Sequence, residues 1–446
     1  MAKRPLSMYS INKLAGFFLI LLAGCAPSTQ SSMTPVDNTR ITLLYSGNLN
    51  GELEPCGCTK EGDLGGIRRR ATMVQQLRQQ HPDLFLISSG GLLAIDSAAD
   101  RIKNEYILKG MRKLGYDAIG VQQRDLFFGP QLLTEAQLPW VASNRADNRF
   151  KPSRRITHNK ISIRFFSWMN TQNKPLKNMQ VKPFTSRQSL ALMLKDIRQA
   201  KQQGDLIMLA TAQTLAKIQK TIPLKNIDIL LIKAAHEVYG PPRQIGKTLV
   251  LQPGSRGMRL GQAEILLGKH GRIKSYQHRI IELPTSIPEA ADYASWYEDY
   301  NAELKQDYLK RAALRKATET GKSPYAGAGK CQTCHQAAYK SWQKSQHAHA
   351  FASLNKVSKA FDPNCIGCHS VGFEKAGGYI DEFITGHLMN VQCESCHGAA
   401  GAHVTSNGTT PLKNKGWSKE RMCTQCHVGS HSPLFRVDQY WPKVAH

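Results

Sequence analysis

Short apolar runs alternate with helical apolar spacings through the first two thirds of the chain. The run from Ile41 to Ser46 is apolar with β-branched residues, which is typical of a buried strand. Similar runs follow at residues 84–88, 118–121, 206–210 and 227–232. Between the runs, apolar residues recur at helical spacing, first at Ile67, Ala71, Val74 and Leu77. The alternation predicts an α/β domain over residues 40–284, and the strand-like pattern at 247–282 predicts a second sheet.

A long polar stretch, residues 285–324, follows this domain. It is rich in Ala, Glu, Lys and Arg, and its aromatic and apolar residues form one stripe at helical spacing: Tyr293, Trp296, Tyr297, Tyr300, Leu304, Tyr308 and Leu309. Such a stripe is typical of a packing seam rather than of a nucleic-acid surface. The pattern predicts a helix that links the α/β domain to a second domain at residues 325–446.

The N-terminus has the pattern of an export signal. Basic residues precede a short apolar run from Leu14 to Ala23, which is too short for a permanent membrane span. The run ends Leu22-Ala23-Gly24-Cys25, which resembles a bacterial lipobox. We therefore expect a signal peptide at 1–24, a lipid on Cys25, a tether at 25–39 and a periplasmic or outer-membrane location. Ordinary signal cleavage and an uncleaved anchor are the alternatives.

The last quarter of the chain holds four copies of one cysteine motif. Cys-x-x-Cys-His occurs at residues 331–335, 365–369, 393–397 and 423–427. Two thiols at this spacing can add to the two vinyl groups of one porphyrin, and the adjoining histidine can bind the iron. Zinc sites do not require that histidine, so zinc is a poor explanation. The motifs predict four covalently attached c-type haems.

The residues expected to hold these haems follow from the motifs. The thioether bonds are expected at Cys331, Cys334, Cys365, Cys368, Cys393, Cys396, Cys423 and Cys426. The proximal iron ligands are expected to be His335, His369, His397 and His427. Low-spin electron carriers need a second axial ligand on each iron. Six further histidines lie in this domain, which is enough to complete every pair: His347, His349, His387, His403, His431 and His446.

The second domain resembles the multihaem cytochrome c family that includes the tetrahaem cytochrome c-554 type. The resemblance rests on Tyr325-Ala-Gly, on Tyr339 to Ala348, and on Val391 to Gly398 followed by His403. It implies a mostly α, irregular fold with porphyrins as its core, and distal ligation by His347 and His403. His431 and His387 are further distal candidates, whereas His349 and His446 are expected at supporting or surface positions. Some members leave one haem five-coordinate, and the sequence leaves this open.

The first domain resembles the calcineurin-like metallophosphoesterases of the 5′-nucleotidase type. The resemblance rests on Ile41 to Gly51, Gly65 to Arg69, Ile87 to Gly91, Leu114 to Ala118 and Ile227 to Leu230. It implies an α/β sandwich of two sheets. The family holds two metals with Asp, His and Asn side chains, and these are missing here. Their places are taken by Asn48, Asn50, Gly91, Val121-Gln122-Gln123-Arg124 and Ala234. We expect no dimetal centre and no phosphoesterase activity, and we expect the remaining His236 to be a loop residue.

Cys56-Gly57-Cys58 follows the degenerate loop directly. A disulfide between two such close thiols would be strained and easily reduced, so the pair is a candidate redox site. A soft-metal site, a structural disulfide and unpaired thiols are the alternatives. The nearby Arg68, Arg69 and Arg70 form either an anion pocket or a solvated helix face.

The formal net charge of +26 predicts acidic redox partners or an anionic membrane surface. Nucleic acid is excluded as a partner because an exported haem protein rarely meets it. The sequence therefore predicts an exported multihaem lipoprotein that carries electrons. Two other hypotheses remain. One is an oxidoreductase that converts a small nitrogen or sulfur compound at an open haem or at Cys56 and Cys58. The other is a module that binds a ligand or partner.

Overall fold

The computed structural model describes residues 38–56, 63–95, 100–144, 149–170, 187–232, 240–319, 321–428, 432 and 434–446. The predictions for the signal peptide and for Cys25, Cys58, Ala234, His236 and His431 lie outside these residues. Within them, the chain forms an α/β domain, one long helix and a helical C-terminal domain.

The α/β domain contains two six-stranded sheets and a two-stranded ribbon. The strands are β1 Thr39–Ser46, β2 Pro55–Cys56, β3 Leu64–Gly65, β4 Phe85–Ser88, β5 Ala118–Gly120, β6 Trp140–Val141, β7 Ser153–His158, β8 Ile161–Trp168, β9 Leu206–Thr211, β10 Ile229–Ile232, β11 Arg243–Ile245, β12 Thr248–Leu251, β13 Arg259–Leu267 and β14 Ile273–Glu282. The first sheet has the order β14-β13-β1-β4-β5-β6, the second the order β11-β12-β10-β9-β8-β7, and β2 pairs with β3.

Helices cover the sheets and form most of the C-terminal domain. Those of the α/β domain are α1 Ile67–Gln80, α2 Asp100–Leu114, α3 Pro130–Glu135, α4 Arg187–Gln202 and α5 Leu215–Thr221. The long helix is α6 Ala294–Thr318. The C-terminal helices are α7 Ala328–Cys331, α8 Gln336–Gln343, α9 Ala350–Lys356, α10 Pro363–His369, α11 Glu382–Thr385, α12 Cys393–His397, α13 Gly401–Thr405, α14 Lys419–Cys423 and α15 Val437–Tyr440. In the described residues, no helix is long and apolar enough to cross a membrane.

The two sheets pack face to face. Tyr45 and Phe85 of the first sheet and Phe165 and Met208 of the second belong to one fully buried cluster. Each such side chain contributes about 1.5–3 kcal/mol relative to exposure. Helices α1, α2 and α6 cover the outer face of the first sheet, and α4 and α5 cover that of the second. The predicted α/β sandwich of two sheets is therefore confirmed.

The strands of residues 247–282 do not form a sheet of their own, which corrects the sequence-based prediction. β12 joins the second sheet beside β10, whereas β13 and β14 extend the first sheet. β13 pairs antiparallel with β1 from Thr39 to Tyr45. The late strands thus divide between the two sheets, where β13 pairs with β1 and β12 pairs with β10.

Helix α6 packs on both domains. Its N-terminal half places Tyr300 and Leu304 in the core of the α/β domain. Its C-terminal half places Tyr308 in the apolar cluster of the C-terminal domain, and the Tyr308 hydroxyl donates to the carbonyl of Ile380 over 3.0 Å. The aromatic stripe is thus a packing seam that runs from one domain to the other.

Candidate haem sites

Each Cys-x-x-Cys-His motif forms one helical turn. The amides of His335 and His427 donate to the carbonyls of Cys331 and Cys423, four residues earlier, over 2.9 Å each. The other two motifs lie in α10 and α12. A helical turn brings residues i and i+3 to one face, so the two thiols of each motif can serve one porphyrin. The local sequence thus presents both thiols and the adjoining imidazole together.

Three of the four motif histidines face a second histidine. The ring centroids are 6.2 Å apart for His335 and His403, and 6.2 Å apart for His347 and His427. They are 6.0 Å apart for His397 and His446. With each ring nitrogen about 2 Å from a metal and the ring centre about 1 Å further away, two trans imidazoles have centroids about 6 Å apart. The residues present therefore fit an iron between each pair.

Hydrogen bonds fix the rings in a ligating orientation. The Nδ1 atoms of His403, His369 and His446 donate to backbone carbonyls of Thr410, Ala350 and Val444, over 2.7, 2.7 and 3.0 Å. The Nδ1 atom of His427 lies 3.1 Å from the Ser432 hydroxyl. An imidazole with Nδ1 engaged in this way leaves Nε2 for a metal. Burial lowers the pKa of His347, His397 and His427, which favours the neutral form that binds iron.

His369 differs from the other three motif histidines. Its Nδ1 atom is bonded to Ala350, but among the described residues no histidine ring faces it as in the three pairs. The ring of His387, predicted as a distal candidate, is exposed and lies beside Gly327, and its carbonyl accepts from the Gln392 amide over 2.7 Å. Distal ligation by His387 stays a prediction. The site of Cys365, Cys368 and His369 thus has an open distal side within the described part of the chain.

His446 is the residue that sequence reasoning missed. We expected a supporting or surface position, yet the last residue of the chain faces His397. The turn Trp441–Lys443 and the bond to Val444 place it there. The only available sequence signal was the surplus of histidines, which cannot say which one reaches which motif. His349, by contrast, is exposed, as expected.

The motifs lie side by side. The first and third motifs are in contact, because the Ala328 amide at the start of α7 donates to the Gln392 side chain just before α12 over 2.6 Å. The Gln425 side-chain amide of the fourth motif donates to the Ser395 carbonyl of the third over 3.4 Å. Cys368 of the second motif and Cys426 of the fourth are near enough for each thiol to shift the pKa of the other. Numbered along the chain, the motifs therefore follow each other as first, third, fourth and second.

The place of the dimetal centre is filled by amides and a guanidinium. The Gln122 amide donates to Asn48 over 2.9 Å, and Arg124 donates to Asn50 over 2.6 Å. Asp125 is buried and accepts from the backbone amides of Gly91, Leu92 and Gln122, while burial raises its pKa. Amide side chains and an arginine that bond each other do not suit divalent cations. The donor set therefore does not fit a dimetal centre.

The other candidate residues of the α/β domain that the structure describes, Cys56 and the three arginines, make contacts within that domain. The backbone of Cys56 pairs with Leu64 in the β2–β3 ribbon. Arg68 pairs with Glu289, and Arg69 bonds Asp63 over 2.9 Å. The fully buried Arg70 donates to the Tyr116 hydroxyl over 3.0 Å. Arg68 and Arg69 line one small cleft, but each is paired with a carboxylate, and Arg70 turns to Tyr116 instead. The three arginines thus form neither a common anion pocket nor a solvated face.

The two domains resemble different known proteins. The profile of the family Cytochrome c554 and c-prime matches residues 330–398. Cytochrome c-554 of Nitrosomonas europaea is 34% identical over 137 residues, which cover 24% of this chain and 58% of that protein. A snake venom 5′-nucleotidase of Gloydius brevicauda is 25% identical over 136 residues, which cover 28% of this chain and 23% of that protein. This chain therefore spans little more than half of the first relative and about a quarter of the second.

Solved structures resemble the α/β domain. The 5′-nucleotidase precursor of Thermus thermophilus has a TM-score of 0.51 at 16% identity, over 60% of this chain and 59% of that one. Sulfate thiohydrolase SoxB of Thermus thermophilus has a TM-score of 0.52 at 15% identity, over 61% of this chain and 62% of that one. At these identities the likeness shows the fold alone, which is that of the metallophosphoesterases. Both predicted resemblances are thus confirmed.

Proposed function

We propose that this protein is an exported multihaem c-type cytochrome that carries electrons at the cell envelope. The C-terminal match indicates a c-type cytochrome with covalently bound haem iron. The number of four haems rests on the four motif turns, and the three facing histidine pairs carry the proposal. Paired imidazoles keep an iron low-spin and its coordination unchanged between oxidation states, which suits transfer of single electrons.

The order of the motifs in space supports a path for electrons through the C-terminal domain. The haems, when bound, would supply a row of one-electron couples running from the first motif through the third and fourth to the second. The hydrogen bonds between the first and third motifs and between the third and fourth support short steps along this row, as does the closeness of Cys368 to Cys426. The second motif forms one end of the row, and the first forms the other.

The location and partners are part of the proposal. A lipid on Cys25 would hold the protein at a membrane, with the tether allowing the domains to reach a partner. The net charge of +26 supports an acidic redox partner, since opposite charge steers encounter between proteins. The donor and acceptor are proteins or small carriers of the same compartment, and nucleic acid is not among the proposed partners.

Among the described residues no histidine ring faces His369, which favours a second candidate function. His431 lies outside those residues and stays a predicted distal ligand. A small nitrogen or sulfur compound could enter at His369, which would make the protein an oxidoreductase. Cys56 and Cys58 would be the alternative site of such chemistry. The α/β domain could also serve as a binding module, since its fold persists while its metal ligands are gone. We propose no phosphoesterase activity for it.

Electron paramagnetic resonance of the ferric protein tests the proposal. We expect low-spin signals from the three haems with paired histidines, and the spin state at His369 reports whether His431 supplies the fourth distal ligand. Signals that ignore nitrite, nitric oxide and hydroxylamine favour the carrier, whereas a high-spin signal that changes with one of them favours the oxidoreductase. Absence of low-spin signals would contradict paired imidazoles. Replacing Cys56 and Cys58 by serine should leave the signals and the reduction potentials unchanged if the carrier function is correct.

A further inference from the structure

A buried ion pair joins the two domains beside the second motif. The ammonium of Lys359, in the C-terminal domain, lies 2.8 Å from the carboxylate of Glu54, in the α/β domain. It also donates to Asn301 of α6 over 2.6 Å. Lys359 is only 8% exposed. The hydroxyl of Tyr297 donates to the same carboxylate. Glu54 thus receives hydrogen bonds from the second domain and from the linking helix.

Aromatic rings enclose this pair. The rings of Tyr297, Tyr300 and Phe361 lie with their centroids 5.0, 5.5 and 5.9 Å from the Lys359 nitrogen. They cover the Lys359 ammonium, whose side chain is 10% exposed, whereas the Glu54 side chain is 28% exposed. The shielded cation therefore acts over a longer distance than it would at the surface. Burial alone would lower the pKa of Lys359, but Glu54 above all holds it above its usual value. The lysine therefore stays charged.

The pair lies next to a haem-binding helix. The amide of Asp362 donates to the carbonyl of Lys359 over 3.0 Å, and the Asp362 carboxylate caps α10. Helix α10 carries Cys365, Cys368 and His369. The Cys365 amide donates to the Asp362 carbonyl over 3.0 Å, so Asp362 connects Lys359 to the first thiol of the motif. Cys365 and Phe361, whose ring lies 5.9 Å from the Lys359 nitrogen, pack on the same apolar cluster. The pair therefore lies close to the position where the porphyrin would be attached.

We propose that the Glu54–Lys359 pair sets the reduction potential of the haem held by Cys365, Cys368 and His369. The inference rests on the proposed function and deepens it. Reduction adds one negative charge to the site, so a nearby cation favours it and a nearby anion opposes it. Through Glu54, the α/β domain would thereby influence the reduction potential of the haem at the second motif, which is one end of the row.

Opposite single substitutions test the inference. Lys359→Met removes the cation and should lower the midpoint potential of this haem, whereas Glu54→Gln removes the anion and should raise it. The double variant should return close to the parent potential. We expect about a tenfold change in the equilibrium constant of reduction for each single variant, which is ~59 mV for one electron. The potentials are followed by spectroscopic redox titration of the complete haem-loaded protein, in which one couple should move and the other couples should not.

Lys356→Met is the matched control, because Lys356 lies three residues away but is exposed. It should leave all potentials unchanged. Gln at position 54 can still accept hydrogen bonds from Tyr297 and Lys359, so this variant keeps the test decisive if Lys359→Met fails to fold. Shifts of the same sign in both single variants, or no shift in Glu54→Gln, would overturn the inference. Absence of covalent porphyrin on the peptide with Cys365 and Cys368 would instead contradict the proposed function.

Discussion

At the scale of single residues, the chemistry of this chain depends on which histidine faces which motif. The Cys-x-x-Cys-His turns are local, so the sequence alone predicts which residues form them. The facing histidines are not local. His403 and His347 were available from a family resemblance, but His446 faces His397, which lies 49 positions earlier in the sequence, and only the folded chain brings them together.

Replacing His446 tests whether its imidazole pairs with that of His397. In the His446→Ala variant, the iron at His397 should lose its second imidazole and become high-spin. We expect the ferric spectrum to gain one high-spin haem and to lose one low-spin haem. The measurement is quantitative electron paramagnetic resonance of parent and variant.

The exposed His349 provides the control for this experiment. His349→Ala should leave the spin states unchanged, because its ring does not face a motif histidine in the described part of the chain. The same spectrum for His446→Ala and the parent would show that His446 is not an axial ligand.

At the scale of secondary-structure elements, helix α6 determines how the domains are joined. Its stripe predicted a seam, and the sequence placed the helix within a few residues of its observed bounds. The sequence could not say that the seam divides between two cores, because the partners of Tyr300 and Tyr308 lie far away in the chain. The sequence also predicted strands at residues 247–282 but not which sheet each one joins, because their partners β1 and β10 lie far away in the chain.

Two leucines of α6 allow a matched test of the seam. Leu304 is 2% exposed in the α/β core, whereas Leu309 is 51% exposed. Leu304→Ala should lower the free energy of unfolding by about 2–5 kcal/mol, because it removes buried methyl groups and leaves a cavity. Leu309→Ala should change it by no more than about 0.5 kcal/mol. Urea unfolding followed by tryptophan fluorescence gives both values, and equal losses would contradict the seam.

The end of α6 predicts an acid-sensitive contact between the helix and the second domain. Arg315 donates to Glu319 over 2.7 Å, and Glu319 accepts from the Gly377 amide over 2.9 Å. The hydrogen bond from Arg315 is the main cause that lowers the pKa of Glu319, and Gly377 adds to it. A depressed folded-state pKa contributes stability above the usual pKa of the carboxyl group, and this stability is lost as the pH falls through the folded value.

Glu319→Gln should therefore weaken the contact near neutral pH and have no further effect once the parent carboxyl is protonated. The difference in thermal unfolding midpoint between parent and variant should shrink as the pH is lowered from 7 to below about 4. A difference that stays constant over this range would mean that the charge of Glu319 does not contribute.

At the scale of the whole molecule, an α/β domain with the fold of 5′-nucleotidases precedes a domain that matches the cytochrome c-554 family. The sequence predicted both resemblances because the replaced ligand positions and the four motifs can be recognised residue by residue. It could not predict that Glu54, at the edge of the degenerate loop, would contact Lys359 of the other domain. That contact depends on how α6 sets the two domains side by side.

A phosphatase assay checks the loss of hydrolytic function. The purified protein with added Mn²⁺ should not hydrolyse 5′-nucleotides or an aryl phosphate ester above the background rate. The physical reason is that Asn48, Asn50, Gln122 and Arg124 bond each other and supply no negative charge for two divalent cations. Hydrolysis that depends on Mn²⁺ and disappears with a chelator would contradict this prediction.

The central claim is that iron porphyrins are bonded to the eight cysteines of the four motifs. Intact-mass spectrometry tests it most directly, on protein purified from a host that carries a working c-type maturation system. We predict an added mass of four haems that survives denaturation and acid, with each attached group assigned to one motif peptide. A mature chain with no added porphyrin mass would contradict the account.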